Sequence, residues 1–397
     1  MSATDQNRLY TRAVLKWFGF SFEQKPLLYK VVPLHTPLSK MAERMNRPRA
    51  VPFVSYAITT FFAGDQKTEG REVRALIIHN QMSGFGSDAI YEFQRALLHA
   101  GDEATFRVPS RDFLPEDVVS DVDNYDLVVL SGGDGTMASL LYALRNRSIP
   151  TCIFPSGTSN LTFINLGNAP EPASIARACR KCRTIQTDLG EMSWIAPDGT
   201  KRTKGFCMMS GTGYDADLMR TAAINKQSLG EAAYFAAALS NLNPTVTHFT
   251  ITVDGIVHER VGIACIVANN AMIQNEIEII PNNSMTDGLL DVIVLEVSQP
   301  VELLQTGAAV LFDKAGTKRA RPHIESFRGR SIDVLSSDPI PLQIDGDPME
   351  DAVTAYHAEV LPGVNRIIVD GLSRYRGEAT EPDQSFPDAS VMPFPAL

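Results

Sequence analysis

Cysteine is scarce in this sequence. Among the 397 residues there are five cysteines, an odd and scattered set: Cys152, Cys179, Cys182, Cys207 and Cys265. This set gives no disulfide framework, which fits a reducing compartment and leads us to expect a cytoplasmic protein. Cys179 and Cys182 form one Cys-x-x-Cys pair inside a predicted basic helix, ARACRKCR. No second ligand pair accompanies them, so packing is favoured over zinc binding or redox chemistry.

An excess of positive charge is also missing. The chain has 36 Lys and Arg against 46 Asp and Glu, a formal net charge of -10. Nucleic-acid-binding domains usually carry a basic surface, so this balance argues against a nucleic-acid partner. A bound phosphate group would have to be held by local dipoles or by a metal ion.

Long apolar runs are absent. The longest, AVPFVSYAITTFFAG at residues 50–64, is shorter than the ~20 residues that a membrane-spanning helix needs. The first residues, MSATDQNRLYTR, lack the apolar core of a signal peptide. We therefore expect at most peripheral contact with the inner face of a membrane.

The two common phosphate-binding fingerprints do not occur. There is no GxxxxGK[ST] motif, so no P-loop lysine reaches a phosphate, and no GxGxxG follows the first predicted strand.

What the sequence does contain is an alternation of strands and helices between Glu72 and Asp188. VRALIIHN, YDLVVL and IPTCIF are typical of buried strands, and DAIYEFQRALLHAG, TMASLLYALRN and PEPASIARACRKC of helices. Such alternation predicts a parallel sheet covered on both faces. We expect an α/β, Rossmann-like nucleotide-binding domain over residues 71–187.

After Asp188 the pattern becomes mostly β. THFTITVDGIVHERVGIACIV predicts a hairpin at Asp254-Gly255, and further short strands are GLLDVIVLEV, RSIDVL, PIPLQIDGD, TAYHAEV and NRIIVD. One helical stretch, GEAAYFAAALSNL, interrupts them. We expect a β-sandwich or barrel-like second domain over residues 188–370, followed by a loosely packed tail at 371–397.

Residues 1–70 are rich in aromatic, proline and basic residues but show no clear period. Packing against the rest of the chain is favoured over a partner surface or an interfacial membrane contact, because scattered aromatic residues more often lie in a core or an interface.

Three glycine-containing loops follow the predicted strands: NQMSGFG (80–86), SGGDGT (131–136) and PSGTSN (155–160). In a parallel sheet they lie at the carboxyl ends of neighbouring strands, where open α/β folds bind ligands. Glycine lets the backbone approach an anion, and the N–H groups of a helix start point at it. Together the loops predict a phosphate site, with added hydroxyl donors from Thr136 and Thr158.

These motifs resemble a known family. SGGDGT resembles the GGDGT signature shared by diacylglycerol kinases, sphingosine and ceramide kinases, bacterial lipid kinases and NAD kinases. IIHNQMSGFG is similar to the N-P-x-S-G-x-G opening of the diacylglycerol kinase catalytic domain, and PSGTSNLTFINLG to its G-T-x-N-D-F-A-R-x-L-G block. GTGYDAD, MTDGLLDVIVLE and LQIDGDPM resemble its G-x-G-F-D-A, D-G-x-L-D-V and V-x-x-D-G-E blocks. The blocks occur in family order over roughly residues 72 to 370.

The resemblance implies transfer of a phosphoryl group from Mg–ATP to a hydroxyl of a diacylglycerol-like or sphingoid-like lipid at a membrane surface. It places the site in the cleft between the two domains. Carried over residue by residue, it implies a nucleotide site of Asn80, Ser83, Gly132, Gly133, Asp134, Gly135, Thr136, Gly157, Thr158 and Asn160.

The same resemblance implies further roles. Asp287, with the carbonyls of Ser284 and Leu289, falls on a structural magnesium site. The residues implied in catalysis are Asp134, Asp345 and Asp347.

The chain departs from the family pattern at three of these blocks. Gln81-Met82 replaces the usual Pro-x, Leu161 replaces an acidic residue, and Asp347 replaces Glu. The 70-residue extension is not part of the family pattern either.

Several alternatives remain open at the level of sequence. Asp134 orients Mg–ATP or caps the helix that follows it, and the two roles are compatible. Asp345 is the candidate general base or a plain Asp-Gly hairpin residue, and Asp287 is a metal ligand or a turn residue.

The function also has alternatives. A lipid kinase is favoured over an NAD kinase-like enzyme, which would carry Glu after the third loop where SNLTFIN has none. The third hypothesis is a nucleotide- or lipid-binding protein without catalysis. Neither a monomer nor a homo-oligomer is excluded.

Overall fold

The computed structural model describes residues 72–82, 88–98, 102–110, 112–157, 159–216, 245–273, 277–297 and 321–382, positions 302, 306, 309 and 313, and two strands before residue 70. The expected site residues Ser83 and Thr158, the predicted helix at 230–242 and residues 383–397 lie outside these ranges.

A parallel sheet forms the first part of the molecule. Its strands are β3 (Arg74–His79), β4 (Glu103–Val108), β5 (Leu127–Gly132) and β6 (Pro150–Pro155), in the order β4-β3-β5-β6. Every residue of β5 is buried, as expected for a central strand with helices on both faces. The α/β domain predicted from the alternation of strands and helices is therefore present.

The helices of this part are α1 (Ala89–Leu97), α2 (Pro115–Val118), α3 (Asp134–Ala143), α4 (Leu161–Leu166) and α5 (Pro172–Lys181), with a 3-10 turn at Val122–Asn124. Helix α1 buries Ile90, Phe93 and Leu97, which share one face at helical spacing. Helix α3 begins directly after β5, two residues earlier than the sequence pattern predicts, so the aspartate of SGGDGT is helical.

Two strands of the N-terminal extension continue this sheet. β1 (Leu28–Pro33) pairs antiparallel with β2 (Tyr56–Phe61), and β2 pairs antiparallel with β4. The extension therefore covers the edge of β4, which supports packing as its role. Its sequence showed no clear period, and the two strands were not predicted.

The second part of the molecule is built from antiparallel strands. They are β7 (Thr184–Ile195), β8 (Lys201–Phe206), β9 (Met209–Gly213), β10 (Thr247–Val253), β11 (Ile256–Gly262), β12 (Ala264–Ala268), β13 (Met272–Ile273), β14 (Ile277–Glu278), β15 (Leu290–Leu295), β16 (Ile324–Gly329), β17 (Ser331–Ile344) and β18 (Asp347–Ile368). The hairpin predicted at Asp254-Gly255 joins β10 to β11, with positive φ at both residues.

The strand path runs β18-β17-β9-β12-β15-β16, with β10 on β17 and β7 on β18. The core between these strands includes Trp194, Phe206 and Phe249. β18 also pairs in parallel with β6, at Arg366 and Pro150, so the two parts share hydrogen bonds. The predicted domain boundary after residue 187 falls inside β7 and stays a prediction.

Two long strands differ from the sequence expectation. RSIDVL and PIPLQI, predicted as separate strands, form the single strand β17, and TAYHAEV and NRIIVD are both part of β18. The register shifts between Leu335 and Ile340 and again between Leu361 and Asn365. Such bulges bend a strand without ending it. The interruptions of the apolar alternation in these two segments predict turns, whereas each is a bulge inside one continuous strand.

The fold class expected from the sequence, an α/β Rossmann-like part followed by a β-sandwich part, is confirmed. Among the helices within the described ranges, none is both long enough and apolar enough to cross a membrane.

Candidate active site

The described residues of the three loops lie at the carboxyl ends of β3, β5 and β6, where side chains link them. The His79 Nδ1 atom lies 2.9 Å from the Ser131 hydroxyl, which lies 3.0 Å from the Ser156 hydroxyl. The Asn80 amide donates a hydrogen bond to the Thr136 hydroxyl at 2.8 Å. Burial lowers the pKa of His79, which favours the neutral imidazole in this chain of contacts. The loops therefore form one hydrogen-bonded unit.

Close contacts explain two of the glycines. A Cβ atom on Gly157 would lie 2.5 Å from the Cα atom of Gly133, and one on Gly132 would lie 2.8 Å from the Thr136 side chain. Glycine at position 157 lets the second and third loops approach this closely, and glycine at 132 leaves room for the Thr136 side chain of its own loop. The result is a compact backbone surface at the start of α3.

Asn160 shapes the third loop from within. It has a left-handed backbone with φ 48°. Its side-chain oxygen accepts from the Gly157 N–H at 2.7 Å, and its amide donates to the Gly157 carbonyl at 2.8 Å. Both ends of the side chain are thus used inside the loop, so Asn160 fixes the loop's shape, and its contact with a nucleotide stays a prediction.

Asp134 connects the second loop to the third. It is the first residue of α3, whose N-cap residue is Gly133 without a side-chain cap bond. Its Oδ1 atom accepts hydrogen bonds from the N–H and the hydroxyl of Thr162, at 3.0 and 3.2 Å. The alternative in which Asp134 caps its own helix is therefore wrong: it caps the first turn of α4. The described residues donate to Oδ1 only.

The turn between β17 and β18 carries the second group of acidic residues. Asp345 has φ 49°. Its Oδ2 atom accepts from the Cys207 N–H at 2.7 Å, and Oδ1 accepts from the Met208 and Met209 N–H groups at 2.9 and 3.0 Å. Both oxygens thereby anchor the turn to the segment between β8 and β9.

The pKa of Asp345 is raised to about 6. Burial is the main cause and the negative charge of Asp134 adds to it, while the three backbone N–H bonds act in the opposite direction.

Asp347 is exposed and lies against the start of α3. A Cβ atom on Gly135 would be 3.3 Å from Oδ2 of Asp347. The three acidic residues expected in catalysis, Asp134, Asp345 and Asp347, are therefore brought to one place. Among them, Asp345 has both oxygens engaged with backbone N–H groups, and Asp347 is the residue with an accessible carboxylate.

A buried pair behind the turn was missed from sequence. The Gln343 side chain donates to Oδ2 of Asp215 at 2.7 Å and accepts from the Gly346 N–H at 2.8 Å. Burial raises the pKa of Asp215, while the bond from Gln343 lowers it. Asp215 lies in the recognised GTGYDAD block, but nothing in the sequence identifies Gln343 as its partner.

Asp287, expected to bind a structural metal ion, is held by neighbouring protein groups. Its Oδ1 atom accepts from the Leu289 N–H of its own turn at 3.1 Å, and its Oδ2 atom is 3.7 Å from a guanidinium nitrogen of Arg328. The Ser284 hydroxyl pairs with that of Thr286 at 2.9 Å. Within the described ranges no group of three or more His, Cys, Asp or Glu side chains could hold a metal ion.

Protein groups therefore hold this turn. Arg328 makes two hydrogen bonds to Asp291, at 2.8 and 2.9 Å. Asp188 accepts from the N–H groups of Gly288 and Gly363, each at 2.7 Å. Arg328 lies 3.7 Å from Asp287 and supplies a positive charge at this turn. The structural magnesium site expected from Asp287 and the carbonyls of Ser284 and Leu289 stays a prediction.

Comparison with known proteins gives the class of the molecule. The family model of the diacylglycerol kinase catalytic domain matches residues 74–192. That of the YegS C-terminal NAD kinase beta sandwich-like domain matches residues 209–369. The chain belongs to the diacylglycerol kinase family of lipid kinases.

Individual relatives are distant. The chain is 25% identical over 252 residues to a probable lipid kinase YegS-like of Stenotrophomonas maltophilia, covering 60% of this chain and 77% of the relative. It is 28% identical over 212 residues to a diacylglycerol kinase of Mycobacterium tuberculosis, covering 50% and 67%. A match to an uncharacterized protein of Synechocystis is 27% identical and spans 52% of that protein's length.

A solved structure shares the fold. It is a putative diacylglycerol kinase from Bacillus anthracis, with a TM-score of 0.61 and 20% sequence identity, covering 78% of this chain and 99% of the other. At this identity the likeness supports the two-part architecture and carries no argument about the substrate.

Proposed function

We propose that the protein is an ATP-dependent lipid kinase that transfers the γ-phosphoryl group of Mg–ATP to a hydroxyl of a diacylglycerol-like or sphingoid-like lipid. Both family models support this, as do relatives named as diacylglycerol and lipid kinases. The lipid would be collected from a membrane surface by peripheral contact, from the cytoplasmic side.

The observation that carries the proposal is the position of Asp347 opposite Gly135. It brings an exposed carboxylate from the second part of the molecule to the N-terminal end of α3, where the glycine loop lies. A hydroxyl bound beside the Asp347 carboxylate would have a proton acceptor within reach and would face a phosphate group held at the glycine loop, which is the arrangement that phosphoryl transfer requires.

The loops supply the phosphate site. The first N–H groups of α3 have no partner within the helix, and the helix dipole favours negative charge there. Glycine at positions 132, 133 and 135 leaves this backbone open. Asp134, fixed by Thr162 through one oxygen, has a second oxygen with which to orient Mg–ATP, directly or through water.

Asp347 acts as the general base in this proposal. As the lipid oxygen attacks the γ-phosphorus, the hydroxyl proton moves to the Asp347 carboxylate, the bond from the γ-phosphorus to the bridging oxygen breaks, and ADP leaves. Asp345, the base expected from sequence, has the role of holding the turn, because both of its oxygens accept backbone N–H bonds.

The proposal is tested by a transfer assay with γ-labelled ATP and mixed micelles that contain one lipid each: diacylglycerol, a monoacylglycerol, a sphingoid base or ceramide. NAD added without lipid tests the NAD kinase alternative. Label in a lipid supports the proposal. Label in NAD contradicts it. If the protein binds ATP but transfers label to none of these acceptors, it is a binding protein without catalysis.

A further inference from the structure

Helix α3 contacts the second part of the molecule at both of its ends. At its start, Gly135 lies against Asp347. Near its end, the Tyr142 hydroxyl donates a hydrogen bond to the Glu191 carboxylate of β7. Seven residues, ~10 Å of helix, separate the two contacts.

The Tyr142 ring packs against the backbone of Gly205, where any side chain would collide with it. A Cβ atom on Gly205 of β8 would lie 2.0 Å from Cδ2 of this ring and 2.5 Å from Cγ. Gly205 and Glu191 are direct partners across the β7–β8 ladder. One strand thus provides the flat surface beneath the ring, and the residue paired with it provides the acceptor for the hydroxyl.

The outer side of the ring is covered by Arg145. Its guanidinium carbon lies 4.0 Å from the ring centroid, and it donates to the Tyr142 carbonyl at 2.7 Å. Cation–π contact of this kind favours one ring position. Burial and the bond to Glu191 raise the pKa of Tyr142 to about 12, so the hydroxyl keeps its proton at neutral pH.

The contact is connected to the site through the sheet. Glu191 pairs with Glu359 across β7 and β18, and β18 begins at Asp347. Tyr142 therefore links the helix that carries the glycine loop to β7, which pairs with the strand that carries Asp347.

We infer that Tyr142 is a positioning residue: seated on Gly205 and bonded to Glu191, it sets the orientation of α3 and hence the distance from the glycine loop to Asp347. The effect of Tyr142 on the reaction rate rests on the proposed function. Displacement of reacting groups by about 1 Å can lower a rate by ~10²-fold. A shift of the ring would therefore lower kcat more than it changes the KM for ATP.

Three full-length variants test the inference: Tyr142→Phe removes the hydroxyl, Gly205→Ala displaces the ring, and Gly371→Ala is the matched control. A Cβ atom on Gly371 would meet nothing within 4 Å. We expect kcat to fall about 3–10-fold in Tyr142→Phe and more in Gly205→Ala, with the KM for ATP within ~2-fold of wild type. The control should match wild type.

Hydrogen exchange gives a readout that does not depend on activity. Exchange at residues 131–136 and 345–349 should rise in both variants and stay unchanged in Gly371→Ala. In a Tyr142→Leu background, Gly205→Ala should add little, because the ring it displaces is gone.

The outcomes separate the two proposals. Transfer with wild-type kcat and unchanged exchange in both variants overturns the role of Tyr142 and leaves the kinase intact. If hydrogen exchange rises at residues 131–136 and 345–349 in both variants but the wild-type protein phosphorylates no lipid, the positioning role of Tyr142 is supported and the proposed activity is overturned.

Discussion

Oδ1 of Asp134 accepts the backbone N–H of Thr162 at 3.0 Å and the hydroxyl of the same residue at 3.2 Å. One residue belongs to the glycine loop after β5 and the other to the first turn of α4. The carboxylate in this glycine-rich turn thus has a structural role, joining two loops, and in our proposal an electrostatic role toward Mg–ATP. Substitutions can separate the two.

Asp134→Asn keeps an oxygen that can accept from Thr162 but removes the negative charge. We expect a melting temperature close to wild type and a loss of transfer of about 10²–10³-fold, as is usual for one preorganised group at a transition state. Asp134→Ala also removes the cap and should lose a further ~1 kcal/mol of stability.

The control for this pair is Asp198→Asn in an exposed turn, which should alter neither property. Wild-type turnover in Asp134→Asn, with wild-type melting, would exclude Asp134 from the reaction.

Asp345 gives the stability a specific pH dependence. Its pKa is raised from 3.8 to about 6 by burial, so between these values the native state keeps a proton that the unfolded chain releases. Its contribution to stability is therefore greatest below about pH 4 and decreases as the pH rises toward 6. The Asp345→Asn variant lacks this titrating carboxyl group. The difference in melting temperature, wild type minus variant, should therefore fall between about pH 4 and pH 6.

A matched control is Asp254→Asn. Asp254 occupies another Asp-Gly turn with φ 47° and also accepts backbone N–H groups, from Arg330 and Ser331. A difference between wild type and Asp345→Asn that does not vary with pH contradicts the assignment.

The contacts of Arg328 at the Asp287 turn give a third prediction, in which these contacts, and not a metal ion, hold the turn. Since its guanidinium group lies beside Asp287 and Asp291, the melting temperature of wild type should be the same in magnesium and in EDTA. Arg328→Gln should lower it by a few degrees, because hydrogen bonds to charged groups contribute more than neutral ones. Arg374→Gln, which breaks a pair at the surface with Glu278, should have little effect.

A magnesium-dependent rise of several degrees in wild type, lost in Asp287→Ala, would contradict this prediction and support the metal site expected from sequence.

The N-terminal extension gives a fourth prediction. Removing residues 1–71 takes away β1 and β2 and exposes the edge of β4. An open strand edge promotes association, so the truncated protein should lose solubility or melt at a lower temperature. Its co-sedimentation with anionic liposomes should change little at low or high salt. A truncated protein that stays monomeric and stable but no longer binds liposomes at low salt would identify the extension as a membrane contact.

The glycine loops could be predicted from sequence because their signal is local. A buried apolar run, a glycine turn and a helix start lie within a few residues of one another at β5 and β6, and the described residues of the second and third loops follow these strands as expected. The signal for the hairpin at Asp254-Gly255 was equally local, since two adjacent residues determine the type of turn.

What was missed depends on distant partners. The role of Asp345 is set by three N–H groups that precede it by more than 130 positions, at Cys207, Met208 and Met209. The same holds for Tyr142, whose neighbours Glu191 and Gly205 belong to another part of the molecule. The spacing of residues along the chain does not predict such long-range contacts.

The central claim is that Asp347, facing the glycine loop, takes the proton of a lipid hydroxyl. The most direct measurement is the transfer rate from γ-labelled ATP to the best lipid of the panel by wild type, Asp347→Asn and Asp347→Glu. We predict a loss of ~10²–10⁴-fold for Asn, with ATP still raising the melting temperature, and substantial activity for Glu. Equal rates in wild type and Asp347→Asn would contradict the account.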